Sequence, residues 1–323
     1  MNESPNELLK VTNLQVAIRQ AGRDILPLQG VDFVVSENTN VGLVGESGSG
    51  KSITAMSLLR LLPSTAIVTG GSIEFDGQDL LQVDSSDMDK IRGDKISLVF
   101  QNAQTSLNPV LTVGSQIADI LRFHSGVSRK EAWNTAVEML DAMGIPEAQI
   151  KAHEYPHQFS GGMAQRAMIS MALVCSPRLL IADEPTSGLD VTIQAQVLDL
   201  IVERVQTQNA SLLLISHDIG VISETCDEVV VMYAGKVMEH GPSREVIRHP
   251  AHPYTEGLMA AFRRQTGDRM YFIPGQVQQM SELHHACPFV SRCEHATDIC
   301  RNQIPEMQLV SDSRHVACYH PLN

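Results

Sequence analysis

Gly45-Glu46-Ser47-Gly48-Ser49-Gly50-Lys51-Ser52 is the stretch on which the reading of this chain turns. It fits the pattern G-x-x-x-x-G-K-[ST], and its surroundings fit as well. Residues 41–44 (Val-Gly-Leu-Val) form a short apolar run of the kind buried in parallel sheets. Residues 51–62 are rich in helix formers and stop at Pro63. A strand, a glycine-rich turn and a helix in that order aim backbone N–H groups at one point. The helix N-terminus adds partial positive charge there, so the loop is a cradle for phosphate. Lys51 is placed to reach the β- and γ-phosphates of a nucleotide, and the Ser52 hydroxyl to ligate Mg²⁺. A chance Gly/Ser-rich turn would lack both flanking elements.

Working outward, apolar runs at 96–100, 179–182, 212–215 and 229–233 read as further buried strands. Helical patterns lie between them. Residues 130–143 put Ala132, Ala136, Val137, Leu140 and Met143 on one face and end at Gly144, and Met168, Met171, Ala172 and Cys175 are spaced for another buried helix face. The alternation predicts an α/β fold with a mainly parallel sheet. The N-terminal part differs. The segments 8–11, 14–18, 31–35 and 72–75 are short, and Asp76-Gly77 is a turn signal, so a small antiparallel sheet is expected there. After about residue 245 Pro250, Pro253 and Pro274-Gly275 break the chain and four cysteines gather beyond residue 286, which reads as a separate C-terminal appendage.

Composition narrows the class. The 323 residues allow one large domain with an appendage, or two modest domains. Aromatic residues make up only 4% of the chain, so Leu, Ile, Val and Met must do most of the packing. A net charge of −13 argues against nucleic acid as a partner held on a broad basic face. No apolar run approaches the ~18 residues that span a bilayer, and the first residues show no secretory signal. A cytosolic chain is expected, reaching a membrane only through a partner. Its six cysteines then read as thiols or metal ligands rather than disulfides.

Asp183-Glu184 closes the run 179–182. A carboxylate at the C-terminal edge of a buried strand points into the crevice where such sheets bind ligands. Asp183 is expected to hold Mg²⁺, directly or through water, and Glu184 to polarise the attacking water. Alone, the pair could equally cap the next segment; beside the phosphate loop the functional reading prevails.

Four further motifs carry a resemblance. Phe159-Ser160-Gly161-Gly162-Met163-Ala164-Gln165 looks like the signature sequence of ABC ATPases. Gln101 follows a strand as the Q-loop glutamine does, Ser187-Gly188-Leu189-Asp190 resembles the D-loop, and His217 looks like the switch histidine. All stand in that family's order. The resemblance implies a P-loop NTPase core with a helical signature subdomain at about 104–176, within an ATPase domain spanning 1–245. It also implies ATP as substrate, with Ser160, Gly161 and Gly162 as a second anion-binding helix N-terminus for the γ-phosphate held by a partner ATPase subunit. Gln101 would sense Mg²⁺ and the γ-phosphate, His217 would contact the γ-phosphate, and Asp190 would communicate across the dimer.

Wider similarity points to one branch. Thr105-Ser106-Leu107-Asn108-Pro109, Asp190-Val191-Thr192-Ile193-Gln194-Ala195-Gln196 and His249-Pro250-Ala251-His252-Pro253-Tyr254-Thr255 look like ATPase subunits of dipeptide, oligopeptide, opine and nickel importers. That resemblance implies a motor on the cytoplasmic face of the bacterial inner membrane that pairs with itself or, as this branch usually does, with a related, non-identical ATPase. It would dock on two membrane-spanning permease subunits and serve an extracytoplasmic binding protein indirectly. Cargo could be peptide, nickel or opine. A soluble ABC ATPase of DNA repair or translation would carry tandem cassettes or coiled-coil insertions, and a non-catalytic relative would be expected to have lost Lys51, Glu184 or His217; neither holds here.

Cys287, Cys293, Cys300 and Cys318 lie in the expected C-terminal domain, 246–323. The same arrangement occurs in dipeptide-importer ATPases, where it is associated with a [4Fe-4S] cluster. Four thiolates also suit Zn²⁺, and unligated thiols or two disulfides remain as alternatives. Cys175 and Cys226 read as core residues. The chain departs from the family in four places. Ile18 stands where an aromatic usually stacks on adenine. Asn38-Thr39 replaces a Gly-Glu turn, Asn102-Ala103 replaces Asp-Pro, and Ala164 replaces a common arginine, which is expected to alter the partner interface.

Overall fold

The computed structural model describes residues 6–20, 23–265, 272–277, 285–311 and 313–322. The chain folds into two compact units, Met1–Val83 with Leu214–Asn323, and Asp84–Leu213.

In the first unit the strand Glu7–Gln20 pairs antiparallel with Arg23–Ser36 on one side and Ala66–Phe75 on the other. The two short segments expected at 8–11 and 14–18 are thus one strand, interrupted by a register shift between Val11 and Leu14. Asn13 takes φ 47° at that irregularity, and its N–H donates to Asp32 Oδ1 at 2.8 Å. Asp76 and Gly77, both at positive φ, turn Ala66–Phe75 into the short strand Gln78–Asp79, as the sequence predicts.

The strand Asn40–Val44, buried throughout, begins the second sheet of this unit. It pairs in parallel with Glu228–Tyr233, which pairs antiparallel with Lys236–Pro242. Asn38, at φ 55°, makes the turn that leads in, so asparagine serves where the family uses glycine. The sheet does not stop at residue 242. Arg314–Val316 pairs with Lys236–Pro242, and Gln308–Ser311 pairs with Arg314–Val316. The cysteine-bearing region is therefore not a separate appendage; its last strands extend the sheet that carries the phosphate loop. Glu239 shows why. Its carboxylate is 0% exposed, accepts from Arg314 Nε at 2.9 Å, and takes the N–H groups of Ala251 and His252 at 3.0 and 2.9 Å. A buried carboxylate persists only when paired and hydrogen-bonded, and here its partners all come from the C-terminal region.

In the second unit Ile96–Val99 and Leu179–Asp183 pair in parallel, with Val99 opposite Ala182. The helix Arg129–Ala142 starts on Ser128, whose side chain accepts from Glu131 N, and buries Ala132, Ala136 and Leu140 completely. Helices Gly161–Leu173 and Val191–Thr207 follow Ser160 and Asp190. The fully buried strand Ser211–Ile215 carries the chain back to the first unit. Among the described residues no helix is long and apolar enough to cross a membrane.

Candidate nucleotide site

In the first unit the phosphate loop joins the strand Asn40–Val44 to the helix Lys51–Leu58. Two of its glycines are required by space as well as conformation. At Gly45 (φ 154°) an added Cβ would lie 2.2 Å from the Met232 carbonyl oxygen, and at Gly50 (φ 108°) 2.7 Å from that of Pro27. Gly50 is also the N-cap, so no side chain covers the helix's first amides. The helix ends early, with Arg60 at φ 52° well before Pro63. Lys51 is only 7% exposed. Its ammonium folds back on the loop, donating to Gly45 O at 2.8 Å, Glu46 O at 3.1 Å and Ser49 Oγ at 3.4 Å. Ser52 lies half-buried in the first turn of the helix. His217 is exposed just past the strand Ser211–Ile215, next to Asp218, which caps the following helix by accepting from Gly220 N at 2.8 Å.

Glu46 has partners that sequence reasoning missed. Its N–H donates to Tyr254 Oη at 2.9 Å, and its carboxylate takes a two-pronged ion pair from Arg292, 2.7 Å from Nη1 to Oε2 and 3.1 Å from Nη2 to Oε1. Hydrogen bonding to Glu46 raises the affinity of Arg292 for its proton, and burial pushes the Tyr254 hydroxyl pKa up. No local pattern signals a pairing across 246 positions.

The second unit brings together two of the expected residues. Gln101 Nε2 donates to Glu184 Oε2 at 2.8 Å. Glu184 follows the strand Leu179–Asp183 at φ 47°, a strained conformation for glutamate. Asp183 stands half-buried at the strand's end, with Oδ1 inaccessible to solvent. Asn102, in place of the family's aspartate, caps the short helix Ala103–Ser106 through Thr105 N.

Ser160 Oγ accepts from Met163 N at 3.3 Å and starts the helix Gly161–Leu173. Gly161 is exposed and Gly162 half-buried, and a Cβ at Gly162 would come 3.2 Å from Ile193 Cγ2. Asp190 caps the next helix in the same way, accepting from Ile193 N at 3.0 Å. Ala164 is fully buried in the helix Gly161–Leu173.

The four C-terminal cysteines line one small enclosed cavity in the first unit, together with His252 and His320. Cys287 N donates to Cys300 O at 2.9 Å, and His320 N to Cys318 Sγ at 3.4 Å. Burial pushes the Cys287 thiol up to about 12 and raises Cys293 and Cys318, with the neighbouring thiols adding to the effect. All six cysteines are unbridged in this structure. Among the described residues no group of three or more His, Cys, Asp or Glu is arranged to hold a metal ion. A single zinc, with Zn–S of about 2.3 Å, needs sulfurs packed tightly around one point. The donor set suits a thiolate-bound group in chemistry and location, but it is not drawn together as a single ion would require. Cys226 is buried and Cys175 half-buried, and burial raises both thiols, Cys175 to about 11.

Comparison with known proteins gives the following. The family described as "ABC transporter" matches residues 28–187, and that described as "Oligopeptide/dipeptide transporter, C-terminal region" matches residues 238–300. The chain is 44% identical over 319 residues to the oligopeptide transport ATP-binding protein OppD of Salmonella typhimurium, covering 98% of this chain and 95% of that protein. It is 44% identical over 329 residues to a putative peptide import ATP-binding protein of Brucella melitensis, covering 98% and 97%. Among solved structures it resembles the dimeric post-hydrolysis state of the ATP-binding cassette MJ0796 bound to ADP and Pi, with TM-score 0.66 and 28% identity over 73% of this chain and 99% of that one.

Proposed function

The chain belongs to the ABC transporter family, and from that premise we propose that it is the ATP-hydrolysing motor subunit of a bacterial importer of di- and oligopeptides. The observation that carries the proposal is the end-to-end match to peptide import ATP-binding proteins, which includes the C-terminal region. Lys51 and the amides of residues 45–52 bind the ATP phosphates. Ser52, Asp183 and Gln101 would hold Mg²⁺, which neutralises charge on the phosphates when bound. Gln101 spends its amide N–H on Glu184, which leaves its carbonyl oxygen to face a cation. Glu184, its rotamer fixed by that bond, accepts the proton of the attacking water, and His217 contacts the γ-phosphate. Ser160, Gly161 and Gly162 complete the site on a second, non-identical ATPase subunit, and Asp190 couples the two. ATP then joins the dimer, and hydrolysis releases it. Two permease subunits at the cytoplasmic face of the inner membrane receive the motion, and an extracytoplasmic binding protein selects the cargo.

We further propose that Cys287, Cys293, Cys300 and Cys318 hold a [4Fe-4S] cluster. Support comes from the four thiols lining one small cavity, a donor set that suits such a cluster. Protein purified anaerobically is expected to be brown, with broad absorbance near ~400 nm. A colourless protein with stoichiometric zinc overturns the assignment. For the motor, the test is Glu184→Gln reconstituted with its permease. Loss of a general base is expected to cut ATP turnover and peptide uptake by roughly 10²–10⁴ while ATP binding persists. Unimpaired turnover removes Glu184 from that role.

A further inference from the structure

The phosphate loop is fastened from the far end of the chain. Glu46, its second residue, is gripped at its N–H by Tyr254 and at its carboxylate by Arg292. The grip is built, not incidental. The Arg292 side chain is 3% exposed. A guanidinium has five N–H donors, and here each has a place. Nε donates to Pro274 O at 2.9 Å, Nη1 to Glu46 Oε2 at 2.7 Å and Tyr233 Oη at 3.2 Å, and Nη2 to Glu46 Oε1 at 3.1 Å and Ile273 O at 3.0 Å. The guanidinium carbon also lies 5.6 Å from the centre of the Tyr233 ring and 5.8 Å from that of Phe289.

Two consequences follow for the loop. First, the carbonyl of the same Glu46 accepts from Lys51 Nζ at 3.1 Å, so Arg292, Glu46 and the phosphate-binding lysine are linked in series. Second, a carboxylate inside a loop that receives a polyphosphate repels it unless its charge is balanced. Arg292 supplies that balance without occupying the cradle. The guanidinium itself is anchored by the cysteine-bearing segment. Arg292 ends the 3₁₀ turn Val290–Arg292, in which Val290 N donates to Cys287 O at 3.0 Å and Cys293 N to Val290 O at 3.5 Å.

We propose that Arg292 is a positioning residue of the nucleotide site, holding and neutralising Glu46 so that the phosphate loop stays open to ATP, and that the cysteine-bearing segment sets its position. The proposal rests on the reading of residues 45–52 as the ATP cradle.

The test measures the dissociation constant of a fluorescent ATP analogue on full-length wild type, Arg292→Gln, Glu46→Gln and the double variant, with melting temperatures alongside. Arg292→Gln is expected to weaken binding about tenfold, the size of one charge-assisted hydrogen bond. Adding Glu46→Gln removes the unbalanced carboxylate and is expected to restore binding to within about threefold of wild type. A residue that merely stabilises the fold would give no such recovery. Arg292→Gln binding within about twofold of wild type overturns the proposal, and so does a double variant no better than Arg292→Gln. If Arg292→Gln does not fold, Arg292→Lys, which keeps charge but loses the fork, is read with and without Glu46→Gln by the same criteria. A wild type that binds no nucleotide would instead sink the ATP-site reading on which the proposal rests.

Discussion

Replacing Ser160 by aspartate separates the structural task of that residue from its task in binding. Structurally, Ser160 caps a helix, its Oγ accepting from Met163 N at 3.3 Å. Aspartate can do the same, as Asp190 does for the helix Val191–Thr207 by accepting from Ile193 N at 3.0 Å. Ser160→Asp is therefore expected to leave the melting temperature nearly unchanged, whereas Ser160→Ala forfeits the cap and costs about 1 kcal/mol. Function predicts the opposite order. If Ser160 meets the γ-phosphate bound to a second subunit, a carboxylate there repels it. At about 4 Å and an intermediate dielectric that is about 4 kcal/mol per pair of unit charges, or roughly a thousandfold in the association constant at about 1.4 kcal/mol per decade. The assay is light scattering after gel filtration with Mg-ATP, in a Glu184→Gln background that holds the dimer together. Ser160→Asp should stay monomeric at concentrations where its parent dimerises, and Ser160→Ala should lose less. Dimerisation of Ser160→Asp like its parent, or loss that merely follows a falling melting temperature, would refute the reasoning.

Ile18 lies half-buried opposite Ile25 and Ala66, where the family usually stacks an aromatic on adenine. Ile18→Tyr is expected to tighten ATP binding by about 1–3 kcal/mol; equal affinity would mean that another residue supplies the platform. His252 is fully buried, and burial lowers its pKa to about 3. The unfolded chain takes up a proton below about 6.5 while the folded one stays neutral there, so stability falls as pH drops from 6.5 toward 3, by about 1.4 kcal/mol at pH 5.5. Urea unfolding at pH 7.5 and 5.5 should show a smaller acid loss for His252→Asn than for wild type, and identical losses would remove His252 as the cause.

The parts of the fold that could be read directly are those whose cause is local. The strand Asn40–Val44 and the helix Lys51–Leu58 declare themselves through an apolar run, glycines and a change of period. The single long strand Glu7–Gln20 was harder, because Thr12-Asn13 breaks the alternation that a strand displays, and only pairing on both sides carries the strand across it. The ties of the C-terminal region are non-local. Glu239 meets Arg314 across 75 positions and Glu46 meets Arg292 across 246, so prolines and cysteines near the end suggested a detached segment where buried charges join it to the sheet. In the site, residue types and order were legible, but the Gln101–Glu184 bond and the left-handed backbone of Glu184 come from the fold around them.

The helix N-termini assigned to phosphate are prepared differently, and the difference bears on how binding is driven. Ser160 gives a side-chain oxygen to the first turn of its helix, as Asp190 and Asp218 do for helices not assigned to phosphate. Gly50 cannot, so the start of Lys51–Leu58 takes no side-chain bond from its N-cap. Lys51 meanwhile binds the loop's own carbonyls, Gly45 O and Glu46 O. An arriving triphosphate must take the ammonium from them, and the exchange favours phosphate because both partners are then charged. It also strips two carbonyls of a donor, which would let an unsupported loop collapse. At Glu46 the loop is held independently, by Tyr254 on the N–H and Arg292 on the carboxylate. On the proposed reading, that support would let Lys51 leave the loop without the cradle losing its shape, and the C-terminal region would then contribute to the ATP site.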